Sequence, residues 1–169
     1  MALLKTYELT VRYGGLAANA DVSIEVPKGK LVGLIGPNGA GKTTFIDAIT
    51  GFTAISSGRV ELDGKDLAGL TPDQRAHLGL VRTFQSLELF EDLTVRENLL
   101  VAAEKPTWWS FLKDLVTPPK TSADNEARVK HALDALGLDN IADRLPMDLS
   151  HGQRKLVGVA RALAAKPKL

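Results

Sequence analysis

The chain has 169 residues, of which 44% are hydrophobic and 24% are charged, a balance typical of a globular domain. Its 21 basic and 20 acidic residues give a formal net charge of +1, which argues against a polyanion-binding surface as its main feature. Because cysteine is absent, disulfides, thiolate catalysis and cysteine-ligated metals are excluded, and no apolar run reaches the length of a membrane span.

The first half of the chain predicts strands interspersed with short helices. Alternating apolar and polar residues, together with one continuous apolar run at 31–35, indicate strands at residues 5–12, 22–26, 31–35 and 58–62, and residues 80–84 are predicted as a further strand. The run at 31–35 contains only apolar residues and glycine, so this strand should be buried. A helix should begin near residue 44 and end near Gly51.

Turn and capping residues mark two further boundaries in this half. Asp63 and Gly64 are a hairpin signal directly after a predicted strand. Thr71, Pro72 and Gln74 have the spacing of a helix start, with threonine as the cap and proline at the first helical position. We therefore expect a short helix that begins at Pro72.

The second half of the chain predicts helices. Helical periodicity covers residues 95–103, 124–136 and 150–165. Between the first two, residues 105–121 contain three prolines around Trp108 and Trp109, so this stretch should be interrupted or loop-like. The tryptophan pair has two interpretations: a core or subdomain contact, or a surface that contacts a membrane-embedded partner.

A glycine-rich loop lies between the apolar run at 31–35 and the first predicted helix. Its spacing fits the phosphate-binding pattern, and strand, loop and helix are the context that pattern requires. Glycines let backbone N–H groups converge, and the helix N-terminus adds positive potential. Lys42 supplies a charge for the outer phosphates, and the Thr43 hydroxyl can ligate Mg²⁺. The predicted nucleotide-binding residues here are Gly36, Pro37, Asn38, Gly39, Ala40, Gly41, Lys42, Thr43 and Thr44.

A second motif precedes the last predicted helix, at residues 149–153. Ser150 and Gln153 have the spacing of a capping box. The serine hydroxyl, the small Gly152 and the free N–H groups of a helix start predict a second anion site. This motif alone is a weak indication of an anion site, because many helices begin in the same way. Together with the glycine-rich loop it is a strong one.

With both motifs in place, the chain resembles a nucleotide-binding subunit of an ABC transporter over nearly its whole length. Residues 36–43 match the Walker A motif, residues 149–153 the ABC signature, and Gln85 the Q-loop. Tyr13 matches the aromatic residue that stacks on adenine in this family. His151 stands where the family commonly has glycine. This difference does little to weaken the match to the ABC signature, because that side chain need not face the nucleotide.

The resemblance implies an α/β fold: a P-loop NTPase core of the ABC ATPase type, with an N-terminal antiparallel β subdomain and an inserted α-helical subdomain. The β subdomain and partial core should occupy residues 1–88, and the helical subdomain residues 89–149. Residues 150–169 should form the signature helix that leads back to the core.

The resemblance also implies the ligands and partners. ATP should bind with Mg²⁺, which Thr43 and Gln85 would hold. Two ATPase subunits should meet head to tail, so that Ser150, Gly152 and Gln153 reach the ATP of the other subunit. Transmembrane permease subunits should dock on the Gln85 region and the helical subdomain, at the cytoplasmic face of the membrane. No nucleic-acid partner is expected.

The finer pattern resembles the branched-chain or hydrophobic amino acid uptake branch, on residues 13–18, 49–52, 81–85 and 93–100. Urea and short-chain amide importers share much of this pattern, so the solute stays open. A soluble ABC ATPase that acts on DNA or ribosomes is an alternative of another class. Long coiled-coil insertions or a basic linker would support that class, and the sequence contains neither.

Three family residues have no counterpart in the sequence. In the family, the Walker B aspartate, the catalytic glutamate and the switch histidine follow the position of Leu169, so the catalytic residues here are unknown. The resemblance therefore implies a truncated chain, in which the C-terminal part of the core is absent. We expect such a chain to bind nucleotide, to hydrolyse it poorly, and to have an incompletely closed sheet.

Overall fold

The computed structural model describes residues 2–83, 89–104 and 122–169. The chain forms two compact units, an N-terminal unit of Met1–Val81 with Lys168–Leu169 and a C-terminal unit of Arg82–Pro167. Subdomain boundaries at residues 88 and 149 stay a prediction.

An antiparallel sheet of five strands forms the N-terminal unit. The strands are β1 (Ala2–Tyr13), β2 (Leu16–Val22), β3 (Glu25–Pro27), β4 (Ser57–Leu62) and β5 (Lys65–Asp66). β1 is central and pairs with β2, β3 and β4, while β4 also pairs with β5. The strands predicted at 5–12 and 58–62 are confirmed, but the strand predicted at 22–26 is divided between the end of β2 and β3.

Local turn and capping chemistry works as the sequence predicts. Asp63 and Gly64 have φ values of 53° and 78°, the left-handed pair that a tight β4–β5 hairpin requires. Helix α1 (Lys42–Thr50) ends at Gly51, whose φ is 89°. Helix α2 (Pro72–His77) begins with a reciprocal capping box between Thr71 and Gln74. The core between sheet and helices contains Leu4, Leu9, Val11, Phe45, Ala48, Ile49, Val60 and Leu62.

The buried strand predicted at residues 31–35 is wrong. These residues form no strand, and Leu31 and Ile35 are 102% and 91% exposed. A strand persists when a neighbour satisfies its backbone N–H and C=O groups, and none of the described strands pairs with this run. The apolar composition alone was therefore an insufficient signal.

The strand predicted at residues 80–84 is replaced by a single pairing. Leu169 donates its amide to Gly79 O at 3.1 Å, and Val81 donates to Leu169 O at 2.9 Å. This alternation is the hydrogen-bond pattern of a parallel pair. One such pair does not make a strand of residues 80–83, and residue 84 lies outside the described residues.

Arg75 of α2 is a buried cation that fastens α1 to the connection before α2. Its guanidinium donates to four backbone carbonyls: Ala48 O at 2.9 Å, Ile49 O at 2.8 Å, Leu67 O at 3.1 Å and Leu70 O at 3.1 Å. Burial lowers the pKa of this guanidinium from its ordinary value. Two of the carbonyls belong to the last turn of α1, where a cation complements the helix dipole.

Replacing Arg75 with methionine should lower the free energy of unfolding by about 3 kcal/mol, because carbonyls bonded to a charged donor lose it while they stay buried. Urea unfolding measures this change. Arg12→Met is the matched control, since Arg12 is an exposed arginine of β1 in the same unit. Similar losses in the two variants would contradict the structural role of Arg75.

The C-terminal unit is helical where the structure describes it. Helices α3 (Val95–Ala103), α4 (Ala123–Leu136) and α5 (His151–Ala164) confirm the helices predicted at 95–103, 124–136 and 150–165. Their shared core contains Val95, Leu99, Ala103, Val129, Ala132, Leu133, Val157, Ala160 and Ala164.

The predicted loop-like stretch at 105–121, with both tryptophans, lies outside the described residues. In the part of the chain that is described, no helix is long and apolar enough to cross a membrane.

The start of α3 is fixed by a capping box that pattern reading did not single out. The Thr94 hydroxyl accepts from Glu97 N at 3.2 Å, and the Glu97 carboxylate accepts from the backbone N–H and the hydroxyl of Thr94, each at 2.8 Å. These bonds, first of all the one from the backbone N–H, lower the pKa of the Glu97 carboxyl from its ordinary value.

Candidate functional site

The glycine-rich loop leads directly into α1. Gly39 and Gly41 have φ values of 82° and 77°, in the left-handed region that side chains disfavour. Ala40 donates its amide to Pro37 O at 3.3 Å, which closes a turn within the loop. Gly41 is the N-cap of α1, so the loop ends where the helix begins.

The last loop residue contacts the sheet at the backbone level. A side chain at Gly41 would place its Cβ 2.3 Å from Ala18 O and 2.8 Å from Asn19 Nδ2. Asn19 of β2 donates from Nδ2 to Gly41 O at 3.3 Å. The sheet therefore positions the start of α1. Sequence reasoning missed Asn19, because no strand was predicted at residues 16–21 and a single polar residue carries no signal of such a contact.

The N-terminus of α1 has no side-chain cap. Among the α-helices in the described parts of the chain, the others are capped by side-chain oxygens, from Thr71, Thr94, Ser122 and Ser150. At α1 the cap is a glycine, and the first turn contains no acidic residue. The first-turn N–H groups and the positive end of the helix dipole therefore stay available to an anion.

Lys42 places its ammonium over the loop. Its Nζ donates to Gly36 O at 2.8 Å and to Pro37 O at 2.6 Å. Thr43, the next residue, is exposed, and Thr44 is half-buried. The start of α1 thus combines uncapped backbone amides, a cation and a hydroxyl at one helix end, which is the donor set that a phosphate chain requires.

Tyr13 lies elsewhere in the N-terminal unit, at the end of β1. Its side chain is 55% exposed, and its hydroxyl lies 3.5 Å from Thr53 Oγ1, just beyond the end of α1. The ring is accessible for stacking, although no hydrogen bond in the described residues joins it to the glycine-rich loop. Gln85 lies outside the described residues, so its predicted role stays a prediction.

The second motif is the capped start of α5, in the C-terminal unit. Gln153 N donates to Ser150 Oγ at 3.3 Å, and Ser150 N donates to Gln153 Oε1 at 2.9 Å. Ser150, His151 and Gly152 are exposed. The box uses the serine oxygen as an acceptor only, so its O–H proton is still available to an incoming anion.

The described residues contain no group of three or more histidine, aspartate or glutamate side chains that could hold a metal ion. A magnesium ion at the loop would take the Thr43 hydroxyl as a protein ligand and complete its shell with phosphate oxygens and water. The exposed position of Thr43 beside the uncapped helix end fits that arrangement.

Comparisons with known proteins give consistent results. The family model described as ABC transporter matches residues 20–169. The chain is 38% identical over 170 residues to the high-affinity branched-chain amino acid transport ATP-binding protein BraF of Pseudomonas aeruginosa, covering 99% of this chain and 67% of that protein. It is 37% identical over 173 residues to the probable branched-chain amino acid transport ATP-binding protein LivG of Methanocaldococcus jannaschii, covering 100% of this chain and 66% of that protein.

Solved structures resemble the chain equally well. The ADP conformation of an ATP-binding cassette of an ABC transporter matches with a TM-score of 0.82 and 37% identity, over 99% of this chain and 66% of that one. A nucleotide-free ATP-binding cassette from an ABC transporter matches with a TM-score of 0.80, 37% identity and the same coverage. The chain thus spans about two thirds of the length of the relatives it matches.

Proposed function

The chain belongs to the ABC transporter family, and from this membership we propose that it is the ATP-binding subunit of a transporter that couples ATP binding and hydrolysis to solute import. The observation that carries the proposal is the uncapped N-terminus of α1, preceded by a glycine-rich loop and occupied at its first position by Lys42. These groups have the charge and the direction to receive the phosphates of ATP.

Nucleotide binding would rearrange the contacts of Lys42. Its ammonium bonds two neutral carbonyls, of Gly36 and Pro37. A phosphate oxygen carries negative charge and accepts a stronger, charge-assisted hydrogen bond. Lys42 would therefore exchange these carbonyls for the outer phosphates, Thr43 and Gln85 would hold Mg²⁺, and the exposed ring of Tyr13 would stack on adenine.

The second motif would complete the site of another subunit. Ser150, Gly152 and Gln153 form an exposed helix start that has hydrogen-bond donors but no lysine of its own within the motif. Such a surface suits an ATP that is already held by the glycine-rich loop of a second subunit. We infer a head-to-tail dimer, docked on permease subunits at the cytoplasmic face of the membrane through the Gln85 region and the C-terminal unit.

The solute is inferred from relatives. BraF and LivG are named as branched-chain amino acid transport ATP-binding proteins, and at 37–38% identity they support the same solute class for this chain. The nucleotide-binding residues do not contact the transported solute, so they do not determine which solute is carried. Uptake assays that compare leucine, isoleucine and valine with urea and short-chain amides would decide between the related importers.

The trans role of the second motif is testable by complementation. For a dimer of two copies, we expect a mixture of Lys42→Ala and Ser150→Arg subunits to hydrolyse more ATP than either variant alone. Both lesions then fall in one composite site of the hybrid, and the other site is intact. Phosphate release from the assembled transporter measures this.

A mixture of Lys42→Ala and Thr43→Ala is the matched control, because both lesions lie in the same loop and no hybrid site is intact. Hybrids no more active than their parents would contradict the shared site.

A further inference from the structure

Residues 89–94, between the Gln85 region and α3, are held by one buried amide. Asn98 of α3 is fully buried, and its Oδ1 accepts from Phe90 N at 2.9 Å. Its Nδ2 donates to Phe90 O at 3.0 Å, Leu93 O at 2.9 Å and Thr94 O at 3.0 Å. A buried amide with these partners fixes the backbone that it bonds, because breaking any of the bonds leaves a buried polar group unpaired.

Helix α5 holds the same segment with two arginines. Arg154 donates from Nη2 to Glu91 Oε1. The guanidinium of Arg161 lies over the ring of Phe90, 5.1 Å from its centroid. The two arginines are about two helical turns apart and so lie on the same side of α5. Consecutive residues of the segment, Phe90 and Glu91, are therefore attached to one face of the helix.

Stability does not account for the position of Arg154. It follows Gln153 directly, near the positive end of the α5 dipole, where a cation is disfavoured. The Arg154 and Glu91 side chains are 28% and 52% exposed, and ion pairs this exposed contribute little to folding. Within the described residues, Arg154 Nε is moreover buried without a hydrogen-bond partner, which is unfavourable.

We propose that Glu91 is a positioning residue, which through Arg154 sets the orientation of the first turn of α5 and so of Ser150 and Gln153. This inference rests on the proposed function, in which that turn binds the ATP of a second subunit. Asn98 keeps the segment fixed, Glu91 extends from it to Arg154, and Arg154 adjoins the capping box. A displacement of residues 89–94 is thereby passed to the surface that meets ATP.

The test separates positioning from folding. We expect Glu91→Gln to leave the ATP affinity of the single subunit and its melting temperature unchanged. The kcat for ATP hydrolysis in the assembled transporter should fall about fivefold to tenfold, a range typical of mutations that alter coupling between sites. The charge exchange Glu91→Arg with Arg154→Glu should restore kcat, because it rebuilds the pair in reverse.

Asp92→Asn and Lys155→Gln are the matched controls, since each removes a neighbouring exposed charge. An unchanged kcat in Glu91→Gln, or an equal fall in Asp92→Asn, would overturn the inference. The inference would also be overturned if Glu91→Gln lowered the melting temperature together with kcat and the charge exchange failed to restore the melting temperature. The contact between Glu91 and Arg154 would then be merely structural. A wild-type subunit that binds no ATP would instead refute the proposed function.

Discussion

Replacing Lys42 with alanine should lower the affinity of the subunit for ATP about tenfold to hundredfold. The ammonium is the cation at the uncapped start of α1, where it bonds Gly36 O and Pro37 O at 2.8 and 2.6 Å. A hydrogen bond to a charged group contributes about 1.5–3 kcal/mol, which corresponds to that range of affinity. Calorimetric titration with ATP measures the change directly.

The fold should survive this substitution, so the effect can be read as binding. Alanine is the best helix former, and Lys42 opens α1 without contributing to the buried core. Lys130→Ala is the matched control, because Lys130 is an exposed lysine within α4. Equal ATP affinity in wild type and Lys42→Ala would remove the central argument for a nucleotide site at this loop.

The starts of α2 and α5 were predictable because their chemistry is local. The capping boxes of α2 and α5 each join two residues three positions apart, Thr71 with Gln74 and Ser150 with Gln153. Side-chain oxygens in this spacing satisfy backbone N–H groups whatever the rest of the chain does. The hairpin at Asp63 follows the same logic, since left-handed backbone angles select its residues.

Contacts between distant residues were not predictable. Arg75 bonds Ala48 O across 27 positions, and Arg154 bonds Glu91 across 63. No period or motif joins such residues, because their meeting depends on how the helices pack. Burial of residues 31–35 was wrongly predicted for the same reason. An apolar run is buried only if another part of the fold covers it, and this run is exposed.

Replacing Gly41 with alanine should damage both the fold and the nucleotide site. The new Cβ would lie 2.3 Å from Ala18 O, far inside van der Waals contact, and the backbone φ of 77° is strained for any side chain. Left-handed strain of about 1–2 kcal/mol and overpacking of about 1–3 kcal/mol together predict a loss of roughly 2–5 kcal/mol in the free energy of unfolding. Because the clash displaces the cap of α1 from β2, ATP affinity should fall at least about tenfold.

Gly39→Ala separates the effect of the steric contact with β2 from the effect of left-handed backbone strain. Gly39 has a similar φ of 82°, but a Cβ there meets nothing within 4 Å. Its substitution should therefore cost only the backbone strain, about 1–2 kcal/mol, and should weaken ATP binding less than Gly41→Ala. Urea unfolding and ATP titration of the two variants give the comparison. If both variants lost the same stability and affinity, the contact with β2 would have no part in positioning the loop, and left-handed strain alone would explain why glycine stands at position 41.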